Sequence, residues 1–429
     1  MGNARSYRKL RAAFRRDPGA GVNFRHVAVP GQGAAPSARP ETPSVFVLLL
    51  VVKNAFRHKL RTALTVVGIV VAITAFGLLR TVVDAWYAGA NASSSARLVT
   101  RSSVSLVFQL PLTYAQKIRQ IDGVQAVSWM NWFGGIYITE RNFFPQFAVD
   151  AASFLDLYPE FTLSPGERKA FLTDRQGAVV GRKLADQYGW KVGDTIPLRG
   201  TIFPGTWTFN LRGIYDGADK TVDQTTMFFH WNLLNESIKR TYPRRGDQTG
   251  VFIVELKDPA QAAEVSETID ATFANSLAET LTETEKAFQL SFVAMTEAIL
   301  VAIQAVSFVV IVIIMAVMAN TMAMTARERY AEYATMKALG FGAAFVAGLI
   351  VAESLGLALA AGAAGIALTF PLAAVFADAM GTLFPVFFVS DETVALQLAA
   401  ALAVGLVAAA IPAWRAARVR IVDGLRAVA

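Results

Sequence analysis

Residues 62–79 read TALTVVGIVVAITAFGLL, an uncharged run of 18 residues near the N-terminus. At about 1.5 Å of rise per residue, a helix of this length with its flanks crosses the roughly 30 Å hydrocarbon core of a bilayer. A cleaved signal peptide is the competing interpretation, because Ala88-Gly89-Ala90 follows the run. However, about 60 residues precede it, which is far too long for the charged leader of a signal peptide. The run predicts a first membrane span, continued by a stalk, over residues 62–92.

Three further apolar stretches lie in the C-terminal third of the chain. The first of them has polar side chains only in its early part, so we expect this helix to begin outside the membrane. The second contains many small residues, which let helix backbones approach closely in lipid. These stretches predict a stalk with the second span, a third span and a fourth span at residues 265–320, 343–377 and 393–414.

Three polar side chains fall inside or beside these spans: Glu297, Gln304 and Glu353. A charge at the centre of a membrane helix costs at least ~2.5–3.5 kcal/mol on insertion scales. One interpretation is functional, namely a gate or a charge that lines a cavity between helices. The other is structural, namely a partner elsewhere in the bundle or a side chain that reaches the interface. Both remain open from the sequence.

The distribution of charge predicts the topology. Hydrophobic residues make up 54% of the 429-residue chain, and its net charge is +7. Residues 1–61 carry 12 Lys/Arg against two acidic residues, whereas residues 81–290 carry 20 Lys/Arg against 23 Asp/Glu. The positive-inside rule therefore predicts that both termini are cytoplasmic and that the segment between the first two spans is outside. Because the excess positive charge lies in tails and short loops, nucleic-acid binding is not expected.

Between the first two spans, strand-like and helix-like patterns alternate. Residues 112–121 and 259–274 have helical periodicity, and residues 179–188 begin as a strand and continue as a helix. The predicted strands are 124–129, 135–139, 195–199, 206–215 and 251–256. The fold class is therefore an α-helical membrane protein with four transmembrane helices and an α+β extracytoplasmic domain, residues 93–264, inserted between the first and second.

The remaining segments have simple predicted roles. Residues 1–44 are rich in Gly, Pro, Ala and Arg, which indicates a disordered basic cytoplasmic tail that could touch membrane lipids. Apolar residues at three- and four-residue spacing predict an amphipathic interfacial helix next to it. The interfacial helix, a cytoplasmic coupling loop or helix, a short periplasmic loop and a cytoplasmic C-terminal tail are predicted at 45–61, 321–342, 378–392 and 415–429.

Catalytic constellations are absent from the sequence. It has no phosphate-binding loop of the GxxxxGK[ST] type, no GxSxG elbow and no HExxH helix. It has no cysteine, and its three histidines are too scattered for a zinc site. We therefore expect a chain without catalytic residues, metal or cofactor of its own.

Three stretches, in this order and on this topology, resemble the MacB/FtsX-type ABC permeases. The stretches are 53–72 (KNAFRHKLRTALTVVGIVVA), 327–341 (RERYAEYATMKALGF) and 411–426 (IPAWRAARVRIVDGLR). Residues 179–196 (VVGRKLADQYGWKVGDTI) are also similar to a segment of the MacB-type extracytoplasmic domain. The chain departs from the family pattern at Val422, Gly424 and residues 333–335.

The resemblance implies a permease subunit in a bacterial inner membrane, with ATP and Mg²⁺ bound by a separate ABC ATPase subunit. It also implies a second permease copy, in a homodimer or a heterodimer, and leaves room for a periplasmic adaptor protein. In this family, closure of the ATPase is relayed to the outer domains, a process called mechanotransmission. The residues expected to couple to the ATPase are Arg327, Glu328, Arg329, Glu332, Lys337 and Gly340.

Two functions remain open. The first is export or extraction of a hydrophobic or amphipathic substrate, such as a lipid, lipoprotein, peptide, drug or haem. The second is a non-transporting permease that regulates a cell-envelope enzyme such as a cell-wall hydrolase. An aromatic cluster favours the first, unless its rings simply form the core of the domain: Trp129, Trp132, Phe133, Phe143, Phe144 and Phe147.

Overall fold

The computed structural model describes residues 59–380 and 384–420. The predicted tail at 1–44, most of the predicted interfacial helix at 45–61 and residues 421–429 lie outside the described residues. Residues 59–61 of that predicted helix are helical and continuous with the first long helix.

The described helices and strands follow one another in an order that separates long apolar helices from an α+β unit. The helices are α1 (Lys59–Ala92), α2 (Tyr114–Arg119), α3 (Ala151–Leu157), α4 (Pro165–Thr173), α5 (Arg182–Tyr188), α6 (Trp231–Thr241), α7 (Ala262–Phe273), α8 (Glu285–Ala294), α9 (Glu297–Glu328), α10 (Tyr330–Ala338), α11 (Ala343–Met380) and α12 (Asp391–Ala417). The strands are β1 (Arg97–Ser102), β2 (Leu110–Pro111), β3 (Val124–Trp132), β4 (Gly135–Ile136), β5 (Gln146–Val149), β6 (Phe161–Thr162), β7 (Gly177–Gly181), β8 (Thr195–Gly200), β9 (Gly205–Gly217), β10 (Met227–His230), β11 (Gln248–Thr249), β12 (Val251–Leu256) and β13 (Thr280–Thr284).

Four of these helices, α1, α9, α11 and α12, are long and apolar enough to cross a membrane. They pack around a common core, and small residues allow the contacts that the sequence predicts. A Cβ on Gly362 would lie 2.6 Å from the Cβ of Ala401, and one on Gly365 would lie 3.0 Å from the Cβ of Ile73. Gly348, by contrast, faces open space. Close packing of backbones therefore joins α11 to both α1 and α12.

Residues 97–284 form an α+β unit that we call the outer domain. Its main sheet has the strand order β13-β1-β12-β3-β5-β10-β7-β9-β8-β4. One apolar layer lies between the sheet and helices α2 and α7. A second lies between the sheet and helices α3 and α4, and it includes Phe154 and Phe171. A third contains Phe133, Phe144, Phe209 and Phe229 between the strands and α6. The domain thus has a core of its own, independent of the membrane helices.

The prediction that the stalk before the second span is helical from residue 265 onward is wrong. Helix α7 ends at Phe273 and packs on the sheet, and β13 then pairs antiparallel with β1 from Thr284↔Leu98 to Thr280↔Ser102. The run TLTET has the alternation of a strand, and Asp270 accepts hydrogen bonds from the hydroxyls of Thr280 and Thr282. The outer domain therefore extends to Thr284 rather than 264, and only α8 links it to α9.

Other predicted elements differ mainly in their ends. The strand predicted at 251–256 is observed with the same bounds. The strand predicted at 135–139 stops at Ile136, because Ile138 adopts a positive φ of 58° that breaks the extended backbone. In the membrane region, α9 continues to Glu328, into the segment predicted as a coupling loop or helix from 321, and α11 extends to Met380.

Candidate functional site

The segment between α9 and α11 begins with a sharp break at Arg329. The backbone of this residue departs from regular helix geometry at φ −101° and ψ 12°, so α9 ends at Glu328 and α10 begins at Tyr330. Its guanidinium is buried, where it donates to Glu353 Oε2 at 2.7 Å and to Glu332 Oε2 at 3.0 Å. Since Glu353 lies on α11, Arg329 ties α10 to the third apolar helix.

Glu328, the last residue of α9, is held by a second ion pair. Both Arg61 amino groups donate to its carboxylate, at 2.9 and 2.8 Å. A bidentate contact of this kind fixes the relative orientation of two groups better than a single hydrogen bond does. It joins the start of α1 to the end of α9, the two helices that flank the outer domain in the chain.

The far end of α10 is held by Lys337 and Gly340. Lys337 Nζ donates to the carbonyl oxygens of Ala417 and Val419, at 2.7 and 3.0 Å, and so caps the C-terminus of α12. Gly340 has a φ of 96°, and the pair of bonds Gly340 N–H to Lys337 O and Phe341 N–H to Met336 O closes the helix in a Schellman motif. Polar contacts therefore connect α10 to α12 as well as to α11.

The expected coupling residues do not form one helical face. Glu328 ends α9 and Glu332 lies in α10, so the break at Arg329 puts these two residues on different helices. Arg329 and Lys337 bind groups within the chain, and Arg327 is exposed beside a small cavity of about 220 Å³. The most exposed apolar side chains near α10 are instead Leu339 and Phe341. Apolar residues directly after a helix end, around a glycine, are the sequence signal that could have identified them.

The predicted intramembrane polar residues have different surroundings. Glu353 is buried against Arg329, whereas Glu297 is exposed in the first turn of α9 and Gln304 is exposed further along it. Sequence reasoning missed a second polar contact within the bundle. Gln397 Nε2 donates to Ile73 O at 2.9 Å and to Thr369 Oγ1 at 2.8 Å, which links α1, α11 and α12.

At the other end of the bundle, Arg97 lies in a buried ionic network. It donates to Glu285 Oε2 at 2.8 Å and to Glu160 Oε1 at 2.5 Å, and the Tyr158 hydroxyl donates to Glu285 Oε1 at 3.0 Å. Burial and the charge of Glu285 raise the pKa of Tyr158 well above its ordinary value. Burial lowers the pKa of Arg97, but the charges of Glu285 and Glu160 outweigh this effect and the net direction is upward. The network joins the start of β1 to the start of α8, where the chain enters and leaves the outer domain.

A further polar contact links α1 to the start of α12. Ser390 and Thr393 donate to Asp84 Oδ2 at 2.9 and 2.8 Å, and Arg80 pairs with Glu392 at 3.0 Å. Ser390 is also the N-cap of α12, where its hydroxyl oxygen accepts a hydrogen bond from the backbone N–H of Thr393. The same hydroxyl group therefore caps the start of the helix and positions Asp84. Helix α1 is thus fixed at both of its described ends.

The aromatic cluster is mostly core. Phe133 and Phe144 are fully buried, and only Trp132 and Phe143 have substantial exposure. The rings therefore do not by themselves favour a substrate surface. Among residues 59–380 and 384–420, no group of three or more His, Cys, Asp or Glu side chains could hold a metal ion.

The architecture combines four helices that are long and apolar enough to cross a membrane with a separate α+β domain. Two protein-family models match the chain, the MacB-like periplasmic core domain over residues 62–272 and the FtsX-like permease C-terminal domain over residues 305–421. The chain therefore belongs to the MacB/FtsX-type ABC permease family. Membership makes it a permease-type membrane subunit of an ABC transporter with a periplasmic-type domain, and implies an ABC ATPase subunit as its partner.

Solved structures also resemble the chain. The periplasmic region of MacB from Actinobacillus actinomycetemcomitans is 10% identical, with a TM-score of 0.34 over 47% of this chain and 94% of that one. The extracellular domain of the noncanonic ABC-type transporter YknZ from Gram-positive bacteria is 9% identical, with a TM-score of 0.32 over 44% and 100%. A domain of a putative permease from Porphyromonas gingivalis is 17% identical, with a TM-score of 0.31 over 44% and 88%. A search of curated proteins finds no match.

Proposed function

We propose that this chain couples ATP hydrolysis on a separate ATPase subunit to movement of its outer domain, and so drives export or extraction of a hydrophobic or amphipathic substrate. In this proposal, the outer domain is inserted between the first and second spans, and both termini and α10 are cytoplasmic. ATP and Mg²⁺ bind to the ATPase, and a second permease copy completes the complex. A periplasmic adaptor is an optional further partner.

The observation that carries the proposal is the attachment of α10 to the membrane helices. Helix α10 follows α9 directly, contacts α11 through the Arg329–Glu353 pair and contacts α12 through Lys337. A push on α10 is therefore transmitted to three helices at once rather than absorbed by a flexible loop. The Arg61–Glu328 pair extends the connection to α1.

The Arg97 network supports the proposal at the other end of the same helices. It is buried, and its charged groups have hydrogen-bond partners within the chain, so separating them would leave a charge without compensation. Displacement of α8 therefore moves the outer domain with it. This path from α10 through the bundle to β1 is our account of mechanotransmission in the chain.

We assign the ATPase contact to the exposed apolar residues Leu339 and Phe341. Glu328 and Glu332 are unsuitable positions for testing this contact, because their carboxylates pair with Arg61 and Arg329 within the chain. Lysine at either position would break an internal ion pair as well as change the surface. Leu339 is 75% exposed, so its replacement leaves the internal packing intact. Exposed apolar side chains at the end of a helix are suited to a pocket on a partner protein.

The experiment is co-purification of the tagged full-length chain with its ATPase from the membranes of the native host. Leu339→Asp with Phe341→Asp should abolish co-purification while the chain still accumulates in the membrane. Ile138→Asp is the matched control, because Ile138 is 74% exposed but lies in the outer domain, and Asp tolerates its positive φ. Retention of the ATPase by the double variant would refute the assigned contact.

A further inference from the structure

A cleft of about 700 Å³ lies in the outer domain, at the end of β1 that is remote from the membrane helices. Strand β1 begins at Arg97, shortly after α1 ends, so the loop that follows Ser102 lies at its opposite end. The cleft is lined by that loop, by the hairpin between β8 and β9, and by the end of α6. The side chains that the argument uses are Val107, Phe108, Phe203, Trp207, Ile238 and Arg245.

The loop after β1 exposes apolar side chains that do not contribute to the core of the domain. Residues 103–109 contain no charged residue, and Val107 is 85% exposed while Val104, Leu106 and Phe108 are also exposed. Ile202, at the tip of the opposite hairpin, is exposed as well. A contiguous apolar surface of this kind on a folded domain marks a binding site. The volume of the cleft falls within the range of about 300–1,000 Å³ that is typical of ligand pockets.

The charge of the cleft indicates which ligand it takes. Arg245 lines it, and Arg240 at the end of α6 and Arg244 on the turn that follows are exposed, whereas no described carboxylate is among the lining residues. Asp247, the nearest acidic residue in sequence, is paired with Lys239 at 2.8 Å. A second large cleft, between α1 and the outer domain, has the opposite character, since Glu160, Asp219, Asp223 and Glu285 line it. Of these two clefts, the remote one combines an apolar floor with a positive rim.

We propose that the remote cleft binds an anionic amphiphile, whose hydrocarbon chain lies against Trp207 and Ile238 and whose carboxylate or phosphate contacts Arg245. This assignment rests on the proposed export or extraction of an amphipathic substrate and specifies its charge and its site. The aromatic and aliphatic floor removes the chain from water. Arginine supplies the planar donors that carboxylate and phosphate groups accept.

The test is photocrosslinking of the full-length chain in discs of neutral lipid. Three diazirine probes are compared: a fatty acid, lysophosphatidylglycerol and lysophosphatidylcholine. We expect the two anionic probes to label peptides that contain residues 103–109 or 201–207, and to do so about tenfold more than the zwitterionic probe. Labelling by the fatty acid alone assigns a free carboxylate ligand, and labelling by the lysophosphatidylglycerol alone assigns a lipid.

Two variants of exposed residues test the site itself. Arg245→Glu should reduce anionic labelling about tenfold, because a charge-assisted contact becomes a repulsion, and Val107→Asp should reduce it through its charge on the apolar wall. Arg175→Glu and Val192→Asp are the matched controls, since both residues are exposed in the same domain outside the cleft.

Equal labelling by all three probes, unchanged labelling in both cleft variants, or no labelling of either segment would overturn the assignment. The last result is also what a site for a protein partner alone would give. The assay needs neither ATP nor the ATPase. A failed ligand site is therefore distinguishable from a failure of the proposed coupling, which co-purification measures.

Discussion

Removal of the Glu353 carboxylate should destabilise the protein severely. The side chain of Glu353 is 4% exposed, and Arg329 donates to it at 2.7 Å from a guanidinium that is itself buried. Glu353→Ala leaves this guanidinium with one carboxylate, the half-exposed Glu332. Breaking a buried pair by removing one partner costs about 3–5 kcal/mol, because the remaining charge is uncompensated. Glu332→Ala, at the more exposed partner of the same arginine, should cost at most about 1 kcal/mol.

The assay is the free energy of unfolding of each purified variant in mixed micelles under titration with a denaturing detergent. Arg329→Met with Glu353→Leu should recover most of the loss, because an apolar pair of similar volume can replace a buried ion pair. The double variant should nevertheless weaken coupling, since nothing then fixes the orientation of α10. If Glu353→Ala and Glu332→Ala lose equal stability, the pair is not the structural link that we describe.

Three further predictions follow from individual residues. The sequence has no cysteine, so a single introduced cysteine is the only site for a maleimide. Val107→Cys should react with a membrane-impermeant maleimide from outside intact cells, whereas Leu339→Cys should react only after the membrane is opened. The reverse pattern would contradict the topology. Burial lowers the pKa of His230, whose Nε2–H donates to Phe171 O at 2.7 Å, so the imidazole folds in its neutral form. Below the ordinary histidine pKa of about 6.5, the unfolded chain takes up a proton before the folded chain does, so stability should fall as the pH drops through this range. The measurement is Tm between about pH 5 and pH 7.5, and His230→Gln should flatten its dependence on pH. Gly340→Ala should lower the free energy of unfolding by about 1 kcal/mol, because alanine is strained at a φ of 96° even though no atom lies near its Cβ. The same detergent titration measures this, and an unchanged value would mean that the helix end relaxes without cost.

Much of the architecture was predictable from local patterns. The four apolar helices follow from uncharged runs, and β12 follows from the strand pattern of 251–256. The stalk was predicted wrongly because residues 285–294 are helical and the short TLTET strand before them was taken as part of the same helix. What makes that segment a strand is pairing with β1, about 180 residues earlier in the chain, and such a partner is invisible to a local pattern.

The side-chain contacts of the segment 327–337 were not predictable in detail. The basic and acidic residues of 327–337 marked the segment, yet the partners of Glu328 and Lys337 lie on α1 and α12, which no local spacing reveals. Glu353 was recognised as costly in a membrane, and the open choice between a gate and a structural partner is answered by its contact with Arg329. Long-range ion pairs depend on how helices pack, and local sequence patterns do not reveal that packing.

The most direct test is whether ATP moves the outer domain relative to the membrane helices. Spin labels at Ile138→Cys in the outer domain and Leu398→Cys on α12 report this distance by double electron–electron resonance, and both positions are exposed. In the complex of the full-length chain with its ATPase, trapping the ATP-bound state should shift the distance distribution, and the Leu339→Asp, Phe341→Asp variant should abolish the shift. A distribution that is identical with and without ATP, in a complex that hydrolyses ATP, would contradict mechanical coupling through this chain.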